Sequence, residues 1–141
     1  MTLSYYIADV FTNQIFAGAQ IAVFPNSGSL SDDQMAAIAR EINLSETVFV
    51  SNPSGEALSR TMRIFSPLGE IDFAGHPIIA TAFVLGESDD IALTDGVTAL
   101  TFTQNIGEIN VNVSASAGKV NFVQFSRKVS SIIDRFTPTI A

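Results

Sequence analysis

The sequence predicts an α+β fold, with a curved, mostly antiparallel sheet wrapped around one buried central helix. Three observations predict it. Segments with strand character outnumber helical ones and run in the order β-β-α-β-β-α-β-β-β, not in strict alternation. The stretch from Pro77 to Leu85 is apolar nearly all round, as a helix enclosed on most sides must be. Apolar residues make up 47% of the 141 positions and charged residues only 15%, enough for one real core, so residues 1–141 read as a single domain.

Each element has its own signal. "LSYYIADVF" and "QIFAGAQIAVF" are rich in β-branched and aromatic residues, are separated at Thr12–Asn13, and read as two strands, the second ending at Pro25. "PNSGSLSDD" is a loop that delivers Ser31 as a helix cap, with Asp32 and Asp33 in the first turn, where the helix dipole favours negative charge. Met35, Ile38, Ala39 and Ile42 then recur at i, i+3, i+4 and i+7, one apolar helix face, and Asn43 is suited to the left-handed residue that ends a helix. "ETVFVS" is a strand, "NPSGE" a turn, and "ALSRTMRIF" a strand broken by Pro67 and Gly69. Glu70 and Asp72 fall in the loop that follows, as solvated or structural groups. The buried helix spans 77–85 with Gly86 as its terminator and Phe83 among its core residues. "VTALTFTQ", "IGEINVNVS" and "GKVNFVQFS" supply three more strands. In the middle one Ile109, Val111 and Val113 alternate with Asn110 and Asn112, which predicts one dry face and one wet face. Residues 127–136 read as a short closing helix or a tail.

Composition excludes several classes of function. Fourteen acidic residues against seven basic ones give a net charge of −7, and only Arg127 and Lys128 are adjacent cations, so no face is basic enough to bind nucleic acid. The absence of cysteine excludes disulfides and thiolate nucleophiles, and a single histidine makes a zinc site improbable, so no metal is expected. "MTLSYYIADVF" lacks the basic start of a signal peptide, and the longest apolar run, Pro77 to Gly86, is too short to span a bilayer. A soluble cytoplasmic protein with no membrane partner is the expectation.

Two stretches carry chemistry. In "FAGHPII", Pro77 suits the first helical position, which makes His76 the N-cap and gives Gly75 a close backbone approach or a positive φ. The unpaired N–H groups of that helix start, beside an imidazole, would receive a carboxylate. The alternative is a histidine that only caps the helix or is satisfied by a core neighbour. In "REINLSETVFV", Glu46 opens a strand directly after a helix C-terminus. The negative end of that helix and partial burial both disfavour the ionised carboxylate, and so move it toward the range useful for proton transfer. The adjacent Ser45 hydroxyl is available to orient a ligand. The alternative is a solvated glutamate at a strand edge.

Three segments, "YYIADVFTNQIFAGAQIAVFP", "MAAIAREINLSETVFV" and "RIFSPLGEIDFAGHPIIATAFVLG", resemble in content, order and spacing the phenazine-biosynthesis PhzF-like family, a branch of the diaminopimelate-epimerase fold. The likeness covers about the first ninety residues. It implies a cofactor-independent isomerase or epimerase in which the glutamate of "NLSE", here Glu46, moves a proton on a small carboxylate-bearing metabolite. It likewise implies that Ser45, Gly75 and His76 bind the substrate and that no cofactor is needed. The family's "GNP" reads Gly18, Ala19, Gln20 here. Family members carry two similar domains with the site between them, and this sequence matches the N-terminal type only. The resemblance therefore implies a homodimer in which a second copy completes the cleft. The alternatives are a catalytically inactive ligand-binding or assembly domain, and a truncated fragment of a two-domain isomerase.

Overall fold

Among the described residues, alternating apolar residues, two helices and short polar turns together produce ten elements. The computed structural model describes residues 2–10 and 19–127. They form β1 (Tyr6–Val10), β2 (Ala19–Phe24), α1 (Asp32–Ile42), β3 (Glu46–Ser51), β4 (Ser59–Ser66), β5 (Gly69–Ile71), α2 (His76–Glu87), β6 (Gly96–Gln104), β7 (Gly107–Ser116) and β8 (Lys119–Ser126). The expected strand residues before Ala19, with the turn at Thr12–Asn13, and all but Arg127 of the closing helix or tail lie outside the described residues.

The strands form one sheet in the order β1-β2-β3-β4-β6-β7-β8, with β5 folded back on β4. Five of its pairings are antiparallel, and two, β2 with β3 and β4 with β6, are parallel. Parallel neighbours need a long crossover, and each helix lies within one: α1 joins β2 to β3, and α2 lies between β4 and β6. Both crossovers advance the same way across the sheet, yet β2 and β4 run in opposite directions. Right-handed crossovers must then put the two helices on opposite faces. That is where they are: α1 packs on β3 and β4, and α2 on β1, β2, β3, β7 and β8. Because α2 touches both edge strands, the sheet curls around it as a half-barrel.

Two cores follow from the strand period of two. In β3, Val48 and Val50 face α2 together with Ile21, Val23, Ile64, Phe102 and Ile109. Phe49 points the other way, stacked on Phe24 at 5.0 Å and edge-on to Phe65 at 5.5 Å, beneath Met35 and Ala39 of α1. Helix α1 starts and stops as its sequence requires. The Ser31 hydroxyl accepts from the Gln34 N–H, the Gln34 side chain accepts from the Ser31 N–H, and Asn43 ends the helix at φ 57°. In β7, Ile109, Val111 and Val113 are buried while Asn110 and Asn112 are exposed, as the alternation predicts.

Four expectations need correction. Segment 69–71 is not loop but the strand β5, paired with β4 through Ile64–Ile71, Phe65–Glu70 and Ser66–Gly69. Helix α2 begins one residue earlier than expected, with Gly75 as N-cap and His76 inside the first turn. Gly86 does not terminate α2, which runs on to Glu87. It is buried, and a Cβ there would lie 2.7 Å from Leu93 Cδ1 and 2.8 Å from Val120 Cγ2, so the glycine serves packing and not the helix end. Phe83 is not core: it is 42% exposed, because the described strands do not close over that side of α2.

Candidate functional site

Glu46 reaches its place through local geometry. The left-handed Asn43 turns the chain out of α1, two residues follow, and Glu46 becomes the first residue of β3, in register with Ile21 of β2. Strand alternation puts it on the face of Val48 and Val50, the α2 face. Ser45, immediately before the strand, is exposed.

His76 arrives from the other direction. The start of β3 and the end of β4 lie at one end of the sheet, since Thr47 pairs with Phe65. The chain leaves β4, forms β5, and enters α2 at the same end. A polar network holds this approach. The Arg63 guanidinium donates two bonds of 2.8 Å to the Glu70 carboxylate and one of 2.6 Å to Asp32 in the first turn of α1. The Asn105 amide donates to Glu70 at 3.0 Å and to Asp72 at 3.3 Å. Sequence reading took Glu70 and Asp72 as solvated or structural, and they are structural. It missed Arg63, whose only signal was a cation alternating with apolar residues in β4.

Gly75 has φ −79° and ψ −44°, the ordinary right-handed conformation, so the expected positive φ is not the reason for a glycine there. No side chain caps the start of α2. Its first N–H groups therefore lack the partner that Ser31 supplies in α1. His76 is exposed at this helix start.

The electrostatics link the two residues. Burial pushes the Glu46 carboxyl above its ordinary value, and the charge of His76 acts in the opposite direction. The two side chains are thus close enough to feel each other, although thirty positions separate them in sequence. Glu46 Oε2 is buried and has no hydrogen-bond partner among the described residues. A carboxylate oxygen in that state bears a desolvation penalty with no compensating donor. Such a group readily holds a proton. Gly75 and His76 frame that start, and Glu46 faces it. Gly18 lies outside the described residues. Gln20 is half-buried in β2 opposite Asp9.

A half-barrel of this topology around a central helix is the diaminopimelate-epimerase-like fold. Residues 8–128 match the PhzC-PhzF family, described as phenazine biosynthesis-like protein, and the chain belongs to that family. An uncharacterized isomerase of Mesorhizobium japonicum is 40% identical over 124 residues, covering 88% of this chain and 40% of that protein. A trans-2,3-dihydro-3-hydroxyanthranilate isomerase of Pseudomonas chlororaphis is 47% identical over 88 residues, covering 61% of this chain and 31% of that enzyme. The crystal structure of a PhzF-family phenazine biosynthesis protein of Enterococcus faecalis is 36% identical with a TM-score of 0.68, covering 83% of this chain and 42% of that one. The chain thus spans less than half the length of each of these relatives. No helix among the described residues is long and apolar enough to cross a membrane.

Proposed function

We propose that this chain is a cofactor-independent isomerase or epimerase lobe that moves a proton on a small carboxylate-bearing metabolite. The observation that carries the reading is the buried, unpartnered Glu46 oxygen facing His76 at an uncapped helix start. Glu46 is the proton carrier. In its carboxylate form it removes a proton from a carbon made acidic by its neighbours. As the acid it returns a proton to another position or to the opposite face, so the group ends each cycle as it began. The N–H groups at the start of α2, with Gly75 and His76, hold the substrate carboxylate and keep the reacting carbon beside Glu46. Ser45, exposed at the mouth of the site, fixes the orientation of a further polar group. A second copy of the chain closes the cleft, working as a homodimer in the cytoplasm.

The dihydro-hydroxyanthranilate on which the Pseudomonas chlororaphis relative is named to act is the first substrate to try. Incubation with it in deuterium oxide should give an isomerised, deuterium-labelled product. Glu46→Gln should slow this by roughly 10²–10⁴-fold, the usual contribution of a positioned acid–base group. Equal label incorporation by wild type and Glu46→Gln would remove Glu46 from the role. The second reading is a ligand-binding domain without turnover. Saturable binding of the same compound with no label incorporation would mark that case.

A further inference from the structure

The segment that feeds α2 is extended and alternates between the two faces of the sheet. Ile71 and Phe73 pack inward against the α2 core, and Glu70 and Asp72 point outward. The pairing of β5 with β4 ends at Ile71, so residues 72–74 reach the helix start beyond that ladder, and side chains attach them. On the inner side the Arg127 guanidinium, just past the end of β8, lies 5.4 Å from the centre of the Phe73 ring. On the outer side Arg63 bonds Glu70 and Asp32, and the step from there to Asp72 is made by Asn105.

Asn105 reaches in from a different part of the sheet. It lies 35 positions from Glu70 and 33 from Asp72, and with Ile106 it forms the two-residue turn between β6 and β7. Its base is fixed from the inner face: Gln104, just before it, is buried with its amide 3.5 Å from the Met62 sulfur. The two N–H groups of the Asn105 amide then go to two carboxylates, at 3.0 Å to Glu70 Oε2 and 3.3 Å to Asp72 Oδ1. Aspartate has the same shape and serves a turn as well. It has no side-chain N–H to give, and it would set a third negative charge beside the other two. The turn does not require an amide; the bridge does.

We propose that Asn105 is a positioning residue for the site: by bridging Glu70 and Asp72 it fixes the path by which the chain enters α2, and so sets where His76 and the helix start stand relative to Glu46. Gly75 and His76 follow Asp72 by three and four positions, which leaves little chain to absorb a displacement of Asp72 before it reaches the helix start. Glu46 does not share this attachment. It stands on β3, which is paired with β2 on one side and β4 on the other. Release of the bridge therefore moves one member of the pair and not the other. Reaction geometry is sensitive to such shifts, and a misplacement of about 1 Å made away from the chemistry can cost ~10²-fold in rate. The inference rests on the reading of Glu46 and His76 as the site, and it adds what holds the distance between them.

The side-chain carbon-13 titration of Glu46 in the full chain decides it and needs no turnover. In the wild-type background His76→Ala should raise the Glu46 midpoint. In the Asn105→Asp background the same substitution should raise it by less than half as much. Asn105→Ala removes the donors without adding charge, and should shrink the His76 effect in the same way even if the aspartate variant folds poorly. Asn112→Ala, at an exposed amide on the wet face of β7, should leave the effect whole. Asp72→Asn in the same chain as Asn105→Asp sets an amide opposite a carboxylate again and should recover part of the effect, which a general loss of stability would not do. With the dihydro-hydroxyanthranilate of the Pseudomonas chlororaphis relative, Asn105→Asp should lower kcat by up to ~10²-fold with a smaller change in KM. A full-sized His76 effect in both Asn105 variants would overturn the positioning role. A wild type without turnover, in which the effect is nonetheless lost in both variants, would overturn the isomerase reading and leave the positioning of His76 standing. A wild-type midpoint that His76→Ala leaves unmoved would overturn both.

Discussion

Glu46 and Glu70 show how the same side chain acquires opposite properties from its surroundings. Burial raises the Glu46 pKa, whereas the hydrogen bonds from Arg63 lower that of Glu70. The consequences for stability have opposite signs. Glu46 ionises more easily in the unfolded chain, so its contribution worsens as pH rises from its unfolded value through its folded one. Glu46→Gln should therefore raise the melting temperature near neutral pH, with the gain vanishing in acid, where both states hold the proton. Glu70 stabilises the fold above the ordinary carboxylate pKa and loses that contribution as pH falls through its lowered folded value. Glu70→Gln should flatten the acid side of the stability curve, by about 1 kcal/mol or less for so exposed a pair. Thermal melts between acid and neutral pH check both. Of these two residues, the sequence marked Glu46 through its position after a helix and through "NLSE". Its burial comes from the packing of β2 and α2 around it and is not written in its neighbours.

At the scale of elements, the signals that proved readable were local ones. Ser31, Gln34 and Asn43 cap α1 through groups a few positions apart, so the cap follows from the sequence alone, and Ser31→Ala should cost about 1 kcal/mol by chemical denaturation. The three-residue β5 was not readable, because its pairing depends on the Ser66–Gly69 turn folding it onto β4. The start of α2 was misplaced by one residue because proline is tolerated at either of the first two helical positions. Phe83 was misread because an all-apolar helix says nothing of whether a sheet closes around it. Ile78 and Leu85 are fully buried, and truncating either to alanine should cost ~2–5 kcal/mol, whereas Phe83→Ala should cost well under the ~3–5 kcal/mol of a core phenylalanine in the monomer. Gly86→Ala should destabilise by ~1–3 kcal/mol through overpacking, and Leu93→Ala in the same chain should recover part of the loss.

For the whole molecule, the decisive feature is that two crossovers run the same way from oppositely directed strands. This puts α1 outside the curved sheet and α2 within it, and it delivers the start of α2 to the end of the sheet where β3 begins. The site is thus a product of topology. A glutamate at a strand start and a histidine at a helix start, thirty residues apart, come close enough to interact electrostatically because both elements begin at the same rim. The Arg63–Glu70–Asn105 network on the outer side holds the connection that makes this so. Sequence motifs named both residues, while their proximity required the crossovers.

The central claim is that Glu46 is a half-buried carboxyl that feels the charge of His76, and the side-chain carbon-13 signal of Glu46, followed through a pH titration, tests it most directly. The predicted result is a midpoint above the ordinary glutamate value, moving higher still in His76→Ala, because that substitution removes the charge that now opposes the effect of burial. A midpoint at or below the ordinary value, or one that His76→Ala leaves unmoved, would contradict it.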